Sequence, residues 1–594
     1  MKNNSVIDIL FSKDDQGENV RKSKFFSREL SGSMTKRNKK HLSKSLFKVG
    51  KYISEFLSRL TARSYGTVLF CFGIISTLMY FLNLSFDNDF KTPIIGAVIC
   101  ILSIPFLIFD KPLSVVLQKF RVTDYLFYEF FCMKRHNDLV SERRLPFIAS
   151  VLLGAIPAAL SRFAPLWQVA LAVVIIIVIY VGMESPESVF LMSLFALPYL
   201  VYINYSDIIL VAAVALASIS FIRKVIYGKR VLCIEQYDIF IGLMMIFLLI
   251  SGVFFKGSES FSGSVHMIIL ALGYMLAGNI ITNRRLAERV INSIVISGCV
   301  AAIISVIQLS YLLFKTGGSV DLVHLNLLLA RTDGMAMFFI VSTLFSLGMM
   351  KQQSKKNGIY AIPALLSFIA LVLSGEFFGI IVLLVLPLAY YVIKANRLTV
   401  LILPVLICAP LVVLFLPNNL LNMLFYYSPS IVSAEKLFEL WNNSLEVFFN
   451  NLFFGVGVGS ESFAQEMAAY GMIGYADSSN LLIELGIEAG VFALLALLCV
   501  LITRVRHRSI QHIYVRNSQI RALSTLSESC MFCMLSFGMI NYIWSNPSEY
   551  YLFWCVFGIG SGLLRFAKKD YDDKVLYYEE ASAHDSSVID IEIG

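Results

Sequence analysis

Apolar runs of roughly 17–24 residues recur along this chain, separated by connectors that are mostly short and polar. Each run is long enough to cross a hydrocarbon core about 30 Å thick. Runs fall near residues 65–84, 93–109, 146–160, 164–183, 188–203, 206–222, 236–254, 264–282, 291–314, 334–350, 359–374, 377–393, 398–416, 480–503, 523–543 and 548–565. They are too long and too uniformly apolar for barrel strands, so each satisfies its own backbone as a helix. The pattern predicts an all-α, polytopic integral membrane protein of about 12 to 16 transmembrane helices, the pair 146–160 and 164–183 being the least sharply bounded. One interruption stands out: residues 417–479 form the longest connector, and it ends in a polar Asp477-Ser478-Ser479-Asn480 against an apolar run.

Composition agrees with the pattern. Of 594 residues, 57% are hydrophobic and 15% charged, and the mean hydropathy is +0.73, far from a soluble domain. The first ~50 residues lack the apolar core of a cleavable signal and are Ser/Lys-rich instead. The ten cysteines fall mostly inside apolar runs, which is core usage; Cys530 and Cys533 form a CxxC on an apolar helix with no second pair or neighbouring His. No metal, cofactor or nucleic-acid partner is indicated. The expected segments are a basic, largely disordered cytoplasmic 1–60, transmembrane helices over 61–229 with a basic aromatic connector at 111–145, a transmembrane core over 230–416, the loop 417–479, terminal spans over 480–565 and an acidic tail over 566–594.

Charge orients these segments. Basic connectors (111–144, 223–230, 284–289, 351–356, 394–397, 504–521, 565–574) alternate with poorly basic ones from residue 204 onward. The positive-inside rule puts the basic set and both termini in the cytoplasm and the loop 417–479 on the outer face. Cations on the outer face are therefore few, and Arg331 is the sharpest. It lies in HLNLLLARTDGMAMFF beside His324, Asp333 and Gly334, at the mouth of a span. A guanidinium there can clamp a diphosphate bidentately, although a snorkelling arginine has the same appearance. Glu484 and Glu488 lie at i and i+4 on one helix face, one to two turns below the loop. Acids inside spans are costly and serve as bases, proton relays or hydrogen-bonded structural groups. Gly455-Val456-Gly457-Val458-Gly459 lacks the Lys-Ser/Thr of a nucleotide loop and reads as a tight turn that lets the chain approach the membrane surface or a ligand closely. Ahead of it, Leu440, Trp441, Leu445, Phe448 and Phe449 have helical spacing, as in an amphipathic helix that rests on the leaflet or packs on the protein.

In this order, the residues resemble the O-antigen ligase and polymerase superfamily. Its pattern is a helix with a Trp, a G-x-G turn, a loop ending in His-Asn, and a span with Glu-x-Gly. Here these positions read Trp441, Gly455-Val456-Gly457, Ser479-Asn480 and Glu488-Ala489-Gly490, with Arg331 and Gly334 as the earlier outer landmark. The resemblance covers about residues 230–565. It departs from the pattern at Ser479, where many members carry His, and at Ser374-Gly375-Glu376, where a Ser-Arg pair is common; Lys436 is the nearest match to a basic residue ahead of the Trp.

The resemblance implies a metal-independent glycosyltransferase in the bacterial cytoplasmic membrane. It would move or polymerise a glycan from an undecaprenyl-diphosphate carrier onto an acceptor glycan or glycolipid. Arg331 would stabilise the departing diphosphate, Ser479, Asn480 or Glu488 would orient or deprotonate the acceptor hydroxyl, and Asp333 or His324 would compensate for the absent His. His324, Lys436, Trp441, Gly455, Gly457 and Glu484 would surround the substrate. Two other classes remain open: a transporter or flippase of lipid-linked glycan that couples through Glu484, Glu488 and Glu528, and a non-catalytic member of an assembly complex.

Overall fold

The computed structural model describes residues 60–82, 91–132, 144–160, 185–202, 206–226, 230–254, 258–316, 333–352, 357–374, 379–384, 434–471, 475–511, 518–539 and 542–567. Arg331, His324, Glu376 and the expected spans 164–183 and 398–416 lie outside them. Among the described residues the chain is helical throughout, with an isolated antiparallel bridge between Thr61 and Pro112. Among the described residues seven helices are long and apolar enough to cross a membrane, and five shorter apolar helices accompany them. The protein is an all-α polytopic membrane protein.

The chain divides into two compact units. The first holds the described residues up to Met192 together with Leu216–Arg230. Its helix α1 (Ala62–Phe81) packs on α2 (Lys91–Ile108) and α4 (Phe147–Leu160) and meets a short α3 (Leu113–Lys119). Small residues let α1 approach its neighbours closely: a Cβ at Gly66 would lie 2.8 Å from the Leu107 nitrogen, and one at Gly154 3.0 Å from the Cys71 Cβ. The connector 111–145 carries α3, a helical turn and a π-helical segment over Asp124–Phe130. Helices α5 (Pro186–Ala196) and α6 (Ser206–Ile226) follow. At the start of α5, Glu187 is buried between Lys224 and Arg230, each 2.7 Å away.

The second unit contains Ser193–Ala215 and the described residues from Val231 on. Helices α7 (Gln236–Phe254), α8 (Ser258–Ile280), α9 (Arg284–Thr316), α10 (Asp333–Gln352) and α11 (Asn357–Leu373) precede α12 (Ala434–Asn450), the small α13 (Ser460–Ala468), α14 (Leu481–Gln511), α15 (Ser518–Gly538) and α16 (Pro547–Ala567). α7 packs on α8 and α14, α10 on α9, α11 and α15, and α12 on α13 and α14. α16 is the most enclosed span, with glycines as its contact points. Gly558 meets α8 at Ala277 and Gly562 at Gly278 and the adjoining Ile281, while Gly560 leaves room for the Arg504 guanidinium of α14.

That guanidinium lies inside the protein. The sequence reading places Arg504 at the start of a solvated basic connector; the structure keeps it in helix α14 at 1% exposure. The reason is a set of partners. It donates to Glu528 at 2.5 Å, to Tyr237 Oη at 2.9 Å and to Ser561 Oγ at 2.7 Å, and lies over the Tyr237 and Phe557 rings. A buried charge is tolerated only with such pairing.

Candidate functional site: a loop clamped onto a broken span

The amphipathic helix expected around Trp441 is α12, and it has two apolar faces. Leu437, Leu440, Trp441, Ser444, Val447 and Phe448 are buried, whereas Phe438 and Phe449 are exposed. Leu445 and Phe449, grouped by spacing with the packing face, lie on the exposed side. The buried face forms a core with Val456, Phe463, Met467 and Ile487, which binds α12, the glycine loop and α13 onto α14. Trp441, expected to meet a sugar ring, has its indole inside, and its N–H donates to the Ser478 carbonyl at 3.1 Å.

The glycine loop meets α14 at a break in the helix. Gly490 has φ 79° and ψ 177°, a conformation outside the helical region. The Val491 N–H consequently leaves the helix and donates to the Leu452 carbonyl at 2.8 Å. The Ile487 and Glu488 carbonyls, released from their helical partners, accept from Val456 N at 2.7 Å and Gly457 N at 3.2 Å. Ser251 Oγ of α7 adds a second donor to the Glu488 carbonyl at 2.5 Å. Inside a membrane protein these exchanges matter, because an orphaned backbone group there costs several kcal/mol.

This backbone-on-backbone packing explains the glycines. A Cβ on Gly455 would lie 2.5 Å from the Glu488 carbonyl carbon, and one on Gly490 2.6 Å from the Phe453 carbonyl carbon. Both positions also have positive φ, as does Gly457. The turn read from the sequence is thus a close approach, and its partner is the span itself.

Glu488 closes the arrangement. Its Oε1 accepts from the Gly459 N–H at 3.2 Å and its Oε2 from the Tyr542 hydroxyl at 2.6 Å. The carboxylate is 3% exposed. Glu484, one turn earlier and equally enclosed, accepts from the Ser478 N–H at 2.7 Å. Asn480 is committed to structure: its Oδ1 caps α14 at the N–H groups of Leu482 (3.0 Å) and Ile483 (3.2 Å), and its Nδ2 donates to the Met539 carbonyl at 3.0 Å. Ser479 has φ 53°, with its N–H on Asp477 Oδ1 at 2.9 Å. Asp477 and Ser479 are half-buried, at the rim of the acid pair. Burial, then the nearby Glu488 and Glu484, push the Tyr542 phenol well above its ordinary value of 10.0. It is therefore a neutral donor at physiological pH.

Residues 362–498 match the family model described as O-antigen ligase. Here the chain is similar to the O-antigen ligases. The O-antigen ligase segment begins inside α11 and ends inside α14, so it takes in α12, the glycine loop, the acid pair and the break at Gly490. The match supports membership of the ligase and polymerase superfamily and a ligase- or polymerase-type function in polysaccharide biosynthesis. No curated protein matches the chain.

Of the residues the sequence singles out, the structure gathers Trp441, Gly455, Gly457, Ser479, Asn480, Glu484 and Glu488 into one constellation. Lys436 is exposed near the start of α12, and Asp333 begins α10. Sequence reasoning does not find Tyr542, Ser251 or Ser260, whose Oγ accepts from the Val458 N–H at 2.9 Å. Tyr542 stands 54 positions from Glu488; its one local signal is a place just ahead of the last span.

Proposed function

We propose that this chain transfers or polymerises glycan from an undecaprenyl-diphosphate carrier onto an acceptor glycan or glycolipid at the outer face of the cytoplasmic membrane. The observation that carries the reading is the O-antigen ligase match, which spans the acid pair and the clamped loop. The donor sugar is activated by its leaving group, so the protein's tasks are to position two substrates and to manage charge. Arg331 stabilises the diphosphate as the anomeric C–O bond breaks. Glu488 receives the acceptor's proton as the new glycosidic bond forms. Among the described residues each of its carboxylate oxygens has one donor, and a carboxylate oxygen accepts two hydrogen bonds, so capacity remains for a hydroxyl. Asn480 and Trp441 serve by holding the hinge Ser478–Asn480 in place, and substrate contacts are assigned to Asp333, His324, Lys436, Ser479 and Glu484.

The break inside α14 also fits a transporter, where interrupted helices mark substrate sites. One experiment separates the two. The protein is placed in nanodiscs with undecaprenyl-diphosphate-linked glycan from its native cells and the matching acceptor, and also in liposomes with the carrier alone. The expected result is glycan transfer, reduced about 100-fold or more by Arg331→Ala. Carrier translocation without transfer overturns the reading. Ala469→Cys, at an exposed position after α13, should be labelled by an impermeant maleimide from outside intact cells; labelling only after lysis overturns the outer-face placement.

A further inference from the structure

Tyr542 is a side chain at this site whose role neither the sequence pattern nor the family match assigns. It lies between α15 and α16, opening a short 3-10 turn over Ile543–Ser545. Its surroundings hold it firmly. Tyr542 is 7% exposed. The following Ile543 packs against Gly538 at the end of α15, and Trp544 packs edge-on to Tyr550 of α16. The Met539 carbonyl, three residues earlier, is gripped by Asn480 at the start of α14. A hydroxyl fixed by two helices and tied back to the α14 cap thus meets Glu488 at 2.6 Å.

The two oxygens of Glu488 are not equivalent. Oε2 holds the short bond to Tyr542, while Oε1 holds the longer 3.2 Å contact to the Gly459 N–H. Tyr542 therefore fixes the carboxylate's rotation and leaves Oε1, the more loosely held oxygen, beside the glycine loop. We propose that Tyr542 is a positioning residue for glycan transfer, holding the Glu488 carboxylate so that Oε1 faces the acceptor hydroxyl. This rests on the reading of Glu488 given above. In the step itself, the acceptor O–H bond breaks and its proton passes to Oε1. The acceptor oxygen bonds the anomeric carbon, and the carrier diphosphate leaves with the electron pair of the broken C–O bond. Tyr542 donates throughout and neither gains nor loses a proton.

The test uses full-length protein in nanodiscs with the native undecaprenyl-diphosphate-linked glycan and its acceptor. Tyr542→Phe removes the hydroxyl alone. A drop in kcat of about 10-fold or more is expected, with KM for the acceptor within about twofold. Glu488→Gln should abolish transfer, and Tyr542→Phe added to it should cause no further loss, since the two act as one unit. Replacing Tyr542 by 3-fluoro- and 3,5-difluorotyrosine keeps the fold and grades the donor strength. kcat should change stepwise across this series at constant melting temperature, which a purely structural tyrosine would not produce. Wild-type kcat in Tyr542→Phe with a dead Glu488→Gln overturns the Tyr542 role and leaves the Glu488 reading standing. Full transfer by Glu488→Gln overturns both. Should Tyr542→Phe fail to fold, the fluorotyrosine series decides, and a flat series overturns the proposal.

Discussion

At the residue scale, the glycines carry the sharpest consequences. Gly490 and Gly455 are fixed twice, by positive φ and by a carbonyl group where a Cβ would sit. Gly490→Ala and Gly455→Ala should each cost several kcal/mol, about 3 or more, and reduce monodisperse protein on detergent size-exclusion chromatography. Gly242, in the middle of α7 with nothing near its Cβ position, is the contrast. Gly242→Ala should raise stability by about 0.5–1 kcal/mol in a thermal melt. The sequence showed that a tight turn sits at 455–459 and that Glu484 and Glu488 share a face. It did not show what the turn approaches. Gly490 stands in a long apolar run, and a glycine there reads as a tolerated helix residue because the pattern carries no φ angle. Tyr542 was equally invisible, since its contact with Glu488 exists only once the last spans have closed.

At the scale of elements, the hydrophobic pattern located the helices well. The run expected over 236–254 is α7 with those bounds, and the run near 548–565 is α16 with one or two residues added at each end. α12 shows where periodicity falls short. Its apolar residues occupy two faces, and spacing alone cannot say which one meets protein and which is left exposed. α14 shows how a span is started deliberately. Asn480 caps it and reaches across to Met539, so Asn480→Ala removes two functions: the cap, and the tie to the end of α15. A loss of about 1–2 kcal/mol is expected, read as a lower melting temperature. Asn480→Asp retains the cap and loses the donor to Met539, so it should fall between the two.

At the scale of the whole molecule, charge follows the membrane in a way composition could not specify. α14 bears two buried polar centres, one near each end. Near Asn480 the acids accept from N–H and O–H donors; near Arg504 the acid, Glu528, is paired through one oxygen with a guanidinium. The sequence counted Arg504 among connector cations and offered Glu528 as a coupling site of a transporter. Only the packing of α14 on α15 and α16 makes them partners. Breaking the pair singly should be severe: Arg504→Met or Glu528→Leu leaves a buried charge and should cost about 3–5 kcal/mol. The double variant Arg504→Met/Glu528→Leu should recover much of that loss, since no uncompensated charge remains; equal melting temperatures for single and double variants would deny the coupling. Arg504→Lys should not rescue, because an ammonium cannot reach Glu528, Tyr237 and Ser561 with one planar fork.

The handover of hydrogen bonds at Gly490 also sets an order of assembly. The glycine loop is synthesised before α14, so Val456 and Gly457 can take the Ile487 and Glu488 carbonyls as soon as that span is made. The Glu488 side chain must wait for Tyr542, and Asn480 for Met539. Until then the nascent chain holds a broken span with a carboxylate short of its strongest donor. A chain stopped after Gln511 should therefore be degraded rapidly in cells, while one co-expressed with residues 512–594 as a separate fragment should be rescued. Pulse-chase labelling of the two strains would show whether the last spans are what makes the earlier ones durable.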